Sequence, residues 1–215
     1  MSVTINEMMS EVRVWTFRKG WRGPDAPDRT IGEECALLHS EVSEALEALR
    51  VNGLDRWSVW DDGMGLVGAT SQKLKDGSFD YKDKKPEGVA SEIADTFIRL
   101  LDNYAERNIK PFELGTEDES LGRDDAYDLL GHEIFDSMDT MPPGDLLSIL
   151  HLSISAIYLS TNEFAMVVNC KQSYDATLWT IMRVSTCLGI DLFAEYEAKM
   201  KYNETREHRH GGKSL

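Results

Sequence analysis

Four carboxylates recur in two short pairs, Glu41-Val42-Ser43-Glu44 and Glu92-Ile93-Ala94-Asp95, with no histidine at the same spacing. Three residues apart on a helix, both acids of a pair share one face, so two such helices packed together aim four hard oxygen ligands at one point. Oxygen donors of this kind suit Mg²⁺, with Mn²⁺ able to take its place. A divalent ion so held can bridge phosphate oxygens and lower the pKa of a bound water. Glu34 stands seven residues before Glu41, near the same face, which makes it a candidate base or a support behind the ligands. Its alternative is an ordinary acid favoured in the first turn of a helix.

A site this acidic repels a polyphosphate unless cations also reach it. Lys199, Asn203 and Arg206 fall at i, i+4 and i+7, a single helical face, and are candidate donors to a phosphate tail. Arg209 and Lys213 lie in the basic ending His208-Arg209-His210-Gly211-Gly212-Lys213, which either closes over phosphates or is an unstructured terminus. Trp15, Trp57 and Trp60 are candidates for stacking on a base, with a packed core ring as the alternative for Trp15. His39 precedes Glu41 by two residues and points off the acidic face, so it reads as structural, as does His151. The sequence holds no Gly-rich phosphate loop, no Gly-x-Ser-x-Gly elbow and no Cys-x-x-Cys pair.

These residues need helices to position them. From Ile31 to Val51, Leu38, Val42, Ala45 and Leu49 recur at helical spacing. A second helix spans about Gly88 to Arg107, with Val89, Ile93, Phe97, Leu100, Leu101 and Tyr104 as its apolar stripe. Between them Asn52 to Lys85 reads as a long loop, with room for a short hairpin, and Glu113 to Asp125 reads as an exposed acidic connection. Further helices are predicted near Ala126–Met138, Asp145–Ser160, Tyr174–Leu188 and Leu192–Arg206, and no segment reads as sheet. The fold class is all-α, a helical bundle.

A faint internal echo accompanies this pattern. The stretch from Leu37 to Leu46 resembles that from Ile149 to Tyr158, and Asn108-Ile109-Lys110-Pro111-Phe112 falls where Gly189-Ile190-Asp191-Leu192-Phe193 falls later. In the second copy Ser153 and Ala156 stand for the first acidic pair, and Ser173 and Ala176 for the second. The echo predicts one domain with a metal-binding half over about 1–111 and a packing half, ending in the basic helix and tail, over about 112–215. The alternative is that amphipathic helices of similar composition look alike.

Composition sets the outer limits. A chain of 215 residues with 41% hydrophobic content is long enough to bury a core of its own. A formal charge of −15, from 38 acidic against 23 basic residues, argues against a nucleic-acid or anionic-membrane partner. No secretory signal or spanning segment is evident, so the expectation is a soluble, cytoplasmic protein, with Cys35, Cys170 and Cys187 as reduced packed thiols.

The two acidic pairs, Glu41-Val42-Ser43-Glu44-Ala45-Leu46-Glu47-Ala48 and Glu92-Ile93-Ala94-Asp95, resemble the paired motifs of MazG-like, all-α nucleoside triphosphate pyrophosphohydrolases. Lys85-Pro86-Glu87-Gly88 looks like the lead-in of some members, Lys-x-x-x-Asn-x-x-Arg at Lys199, Asn203 and Arg206 is similar to a substrate-binding pattern, and the stretch from Lys199 to Lys213 resembles the basic ending of one subgroup. The resemblance implies an all-α NTP pyrophosphatase fold and Mg²⁺-dependent cleavage between the α- and β-phosphates, giving monophosphate and pyrophosphate. It also implies Glu41, Glu44, Glu92 and Asp95 in the metal shell, a nucleoside triphosphate as substrate, and a homo-oligomer, most simply a dimer. The alternative function is a non-catalytic helical module that binds a nucleotide or partner through an acidic metal site. A di-iron carboxylate bundle needs Glu-x-x-His ligands, and that spacing occurs only at Glu207 and His210 in the tail.

Overall fold

The computed structural model describes residues 3–55, 57–61, 67–70, 85–161 and 170–209, with side chains left undescribed at 57–61, 67–70, 117, 118 and 121. Among these residues the chain forms eight α-helices and one three-stranded sheet, so the all-α class holds. The helix α2 (Ile31–Asn52) starts at a capping box in which Thr30 Oγ1 accepts from the Glu33 amide at 3.2 Å while the Glu33 carboxylate accepts from the Thr30 amide at 2.8 Å. It stops at Gly53, whose φ of 64° favours glycine. The helix α3 (Val89–Glu106) is almost wholly buried, and α2 packs along it. Together they carry both acidic pairs.

The helix α1 (Ile5–Arg18), which the sequence reading left unassigned, is capped by Thr4 and Glu7 in the same way and buries Ile5, Met8, Val12 and Trp15 against the core. The stretch from Asn52 to Lys85, read as a loop with room for a hairpin, contains β1 (Trp57–Asp61), β2 (Val67–Thr70) and β3 (Lys85–Glu87) in the antiparallel order β2-β1-β3. The acidic connection predicted over Glu113 to Asp125 is helical from Glu117. The helix α4 (Glu117–Leu130) runs to Gly131, and the short α5 (His132–Ser137) follows. The predicted Ala126–Met138 helix is therefore two, because Gly131 sits at φ 82° and breaks the run. The last three, α6 (Pro143–Ser160), α7 (Cys170–Cys187) and α8 (Leu192–Thr205), lie close to their predicted spans.

The two halves repeat one arrangement. Helices α1 and α4 are each 14 residues long, and α3 and α7 are each 18. Helix α2 packs on α3 as α6 packs on α7, while α2 meets α6 and α3 meets α7 across the middle. Helices α3 and α7 end on the same cap: the Ile109 amide reaches back to Tyr104 O at 2.9 Å, and the Ile190 amide to Ser185 O at 2.8 Å. The turn residues Asn108 and Gly189 both have positive φ, 52° and 67°. His39 and His151, counterparts in the echo, stack on each other with ring centroids 5.1 Å apart. The positions matched to the acidic pairs in the sequence, Ser153, Ala156, Ser173 and Ala176, are buried.

Cys35, Cys170 and Cys187 are free thiols, and burial raises the pKa of each. Among the described residues no helix is long and apolar enough to cross a membrane.

Candidate functional site

Carboxylate oxygens of Glu41 and Glu44 on α2 and Glu92 on α3 all come within 4.8 Å of one another. In an octahedral Mg²⁺ shell, neighbouring oxygens stand about 3 Å apart, so small side-chain movements would bring all three onto one cation. Glu41 and Glu92 are buried, at 6% and 4% exposure, and Glu44 is exposed. Burial is the first cause that raises the Glu41 pKa, and it pushes that of Glu92 up to about 8, with Asp95 and Glu41 adding to it against Lys199. Asp95 lies beside this trio and is not part of it.

Two of the acids already have cations. Arg99 Nε donates to Glu41 Oε1 at 2.6 Å. Lys199 Nζ lies 2.7 Å from Asp95 Oδ2 and donates to Ser91 Oγ at 2.7 Å, with Pro86 O at 3.4 Å. Burial works against the Lys199 ammonium, yet Asp95 and then Glu92 hold its pKa above the ordinary lysine value. Lys199, a candidate phosphate donor by sequence, has a side chain 1% exposed that is paired with Asp95.

Glu34 sits two turns from Glu41, about 10 Å along α2, and faces two arginines. Its Oε1 accepts from Arg22 at 3.1 Å and its Oε2 from Arg107 at 2.7 Å. Arg22 in turn donates to Asp102 Oδ2 at 2.9 Å and to Asn103 Oδ1 at 3.3 Å. This buried network ties the loop after α1 to α2 and α3, and its carboxylate is engaged away from the acidic trio.

A cavity of about 140 Å³ opens beside Asp95, floored by the α3 residues Asp95, Ile98, Arg99 and Asp102 at helical spacing. Asn203 enters it from α8, and Arg206 from just past that helix's end, where extended backbone takes it off the helical face expected for it. Arg206 lies over the Tyr202 ring at 5.9 Å, and burial lowers its pKa. Trp15 from α1 and Trp21 from the loop complete the wall, with the Arg29 guanidinium 5.5 Å over the Trp21 ring.

Arg209 lies elsewhere: it donates to Gly20 O at 2.9 Å and to Asp25 O, pinning the loop after α1 to the end of the chain. Trp57 and Trp60 fall on β1 with undescribed side chains, and Lys213 lies outside the described residues. Sequence reasoning missed Arg99, Asp102, Arg22, Arg29 and Trp21. The first two continue the spacing of Glu92 and Asp95 by four and seven residues from Asp95, a signal open to inspection. The other three lie in a loop with no periodicity. Comparison with family models, with curated proteins and with solved structures finds no match to this chain.

Proposed function

We propose that the chain is a Mg²⁺-dependent nucleoside triphosphate pyrophosphohydrolase that directs water at the α-phosphorus and releases monophosphate and pyrophosphate. The observation that carries this reading is the convergence of Glu41, Glu44 and Glu92, joined through the Glu41–Arg99 hydrogen bond to a cavity that Arg99 lines together with Arg29, Arg206 and two tryptophans. The resemblance of the two acidic pairs to those of MazG-like enzymes points the same way.

The trio fits a hard divalent cation, since every donor is a carboxylate oxygen and one of the three, Glu44, is exposed to solvent. Bound there, Mg²⁺ would neutralise phosphate charge and acidify a coordinated water. The protein's own residues do the rest. Glu44, exposed and held only by the Ser40 hydroxyl at 3.3 Å among the described residues, is placed to accept the proton of the attacking water. Arg99 on α3 and Arg206 just past α8 line the cavity and meet the phosphate oxygens, Arg99 exchanging Glu41 for substrate. Lys199 keeps the Asp95 carboxylate fixed at the cavity's edge. Chemistry of this kind asks mainly for position and charge neutralisation.

The non-catalytic alternative draws on one observation: Arg99 and Lys199 already neutralise Glu41 and Asp95. Turnover separates the two. Pyrophosphate release from a panel of ribo- and deoxyribonucleoside triphosphates should require Mg²⁺ and vanish in Glu44→Ala. Nucleotide binding with no pyrophosphate from any member of the panel would favour the binding module. A homodimer is less needed than the resemblance implies, because α6 and α7 cover faces of α2 and α3 within one chain; light scattering checks it.

A further inference from the structure

Arg99 stands between two places that want its charge. Its Nε donates to Glu41 Oε1 at 2.6 Å, and its side chain, 38% exposed, also lines the cavity beside Asp95. The Glu41 side chain is 8% exposed, and among the described residues Arg99 is the cation its carboxylate touches. Glu41 is at the same time one of the three acids whose oxygens converge. A divalent cation seated on that carboxylate stands next to the guanidinium and repels it, so metal and arginine compete for Glu41.

The cavity decides where Arg99 can go. Arg29, Arg99 and Arg206 line it, while the acids in its wall, Asp95 and Asp102, are paired with Lys199 and Arg22. Burial lowers the pKa of Arg29 and of Arg206, and the charge of Arg99 lowers each further. Without an anion, turning Arg99 off Glu41 sends it toward two cations that already repel it. A polyphosphate in the cavity reverses that preference, because its oxygens accept from guanidinium N–H groups. The same side chain then leaves Glu41 free for the metal.

We infer that Arg99 is a positioning residue that keeps Glu41 from the metal until phosphate oxygens in the cavity draw it off, so that Mg²⁺ and a polyphosphate each bind more tightly when the other is present. The inference rests on the nucleotide reading of the acidic site, and its test is independent of turnover. Because coupling between two ligands is reciprocal, it can be read from either one.

Calorimetric titration of the full chain with Mg²⁺ alone reads the competition. Arg99→Met and Arg99→Gln, with folding checked by circular dichroism, should bind Mg²⁺ about tenfold more tightly than the native chain, the effect of one charge-assisted hydrogen bond. Arg206→Met is the control for charge alone, since Arg206 feels the charge of Glu41 without a hydrogen bond to it among the described residues. It should gain only about twofold. Titration with adenosine, guanosine, cytidine and uridine triphosphates carrying a methylene bridge between the α- and β-phosphates, with and without Mg²⁺, reads the coupling. Mg²⁺ should raise their affinity for the native chain about tenfold more than for Arg99→Met, and chelation in solution, common to both chains, drops out of that comparison.

Unchanged Mg²⁺ affinity in both Arg99 variants, or an equal gain in Arg206→Met, overturns the competition for Glu41 while leaving the cation site standing. A Mg²⁺-dependent gain in nucleotide affinity as large in Arg99→Met as in the native chain overturns the coupling. Binding of Mg²⁺ by none of these chains, or of any of the four nucleotides by none, overturns the nucleotide reading together with the inference.

Discussion

Lys199 Nζ and Asp95 Oδ2 lie 2.7 Å apart, with the lysine side chain 1% exposed and the aspartate 23%. The pair is unequal in its access to water, so removing one member differs from removing the other. Lys199→Met fills the same volume with an apolar chain and leaves an aspartate that water can still reach. Asp95→Ala takes from a buried ammonium the carboxylate it touches, leaving Ser91 and Pro86 as its hydrogen-bond partners and Glu92 as the nearby acid. Asp95→Ala is expected to lower unfolding stability by about 2 kcal/mol more than Lys199→Met. Urea denaturation of the two variants measures the difference, and equal losses would show that the lysine is not dependent on its partner.

Glu44 and Glu47 sit one turn apart on α2, both exposed, but only Glu44 faces the trio, while Glu47 pairs with Arg50 at 2.8 Å. A cation that binds the folded chain alone raises its melting temperature. Mg²⁺ is therefore expected to stabilise the native chain and Glu47→Ala alike, and to lose most of that effect in Glu44→Ala. Glu92→Gln supplies the neutral side chain that burial favours, so it should keep or raise stability without Mg²⁺ and abolish the response to it. Thermal melts with and without Mg²⁺ give the comparison, and an identical response in Glu44→Ala and Glu47→Ala would remove the cation from this cluster.

Arg22 joins Glu34 and Asp102 in a network whose three side chains are 6%, 1% and 9% exposed. Deleting its charge leaves Asp102 without its ion-paired arginine and Glu34 with Arg107 as its hydrogen-bonded cation. Arg22→Met is expected to cost about 3–5 kcal/mol, and Arg22→Lys less, since lysine keeps the charge but cannot fork between two carboxylates. A loss below about 1 kcal/mol for Arg22→Met in urea denaturation would mean that the loop after α1 opens to water readily and does not fix the cavity wall.

What was legible in the sequence follows from how local each signal is. Helices α2 and α3 announce themselves because apolar residues recur at helical spacing within a few positions of each other, and α2 adds a capping box and a glycine stop. Helix α1 escaped because Val12-Arg13-Val14-Trp15-Thr16-Phe17 mixes β-branched and aromatic residues that favour strands, and its burial against α3 overrides that preference. Helix phase placed Glu41, Glu44 and Glu92 together but could not distinguish Glu34, since a seven-residue step restores the face while moving two turns along the axis. It placed Lys199 on the right side of α8 without naming its partner, which is the nearest acid rather than a ligand. Arg22 and Asp102 are 80 positions apart, and nothing near either one in the chain signals the other.

His39 and His151 meet where α2 packs on α6, their Nδ1 atoms 2.8 Å apart, so one ring must donate and the other accept. Burial lowers both pKa values from 6.5, and for His39 the charge of His151 lowers it further. The folded chain thus binds fewer protons here than the unfolded chain below about pH 6.5. A base whose folded pKa is depressed contributes stability that is present above its unfolded pKa and lost as pH falls through the folded one. The buried acids Glu41 and Glu92, with raised values, act in the opposite sense over the same range, so the native profile alone mixes the two. The double substitution His39→Gln and His151→Gln removes the histidine part and leaves the acids. The native chain is expected to lose stability relative to this double variant between pH 7.5 and pH 5, both measured by urea denaturation without Mg²⁺. A constant difference between the two profiles across that range would show that the pair accepts a proton as easily folded as unfolded.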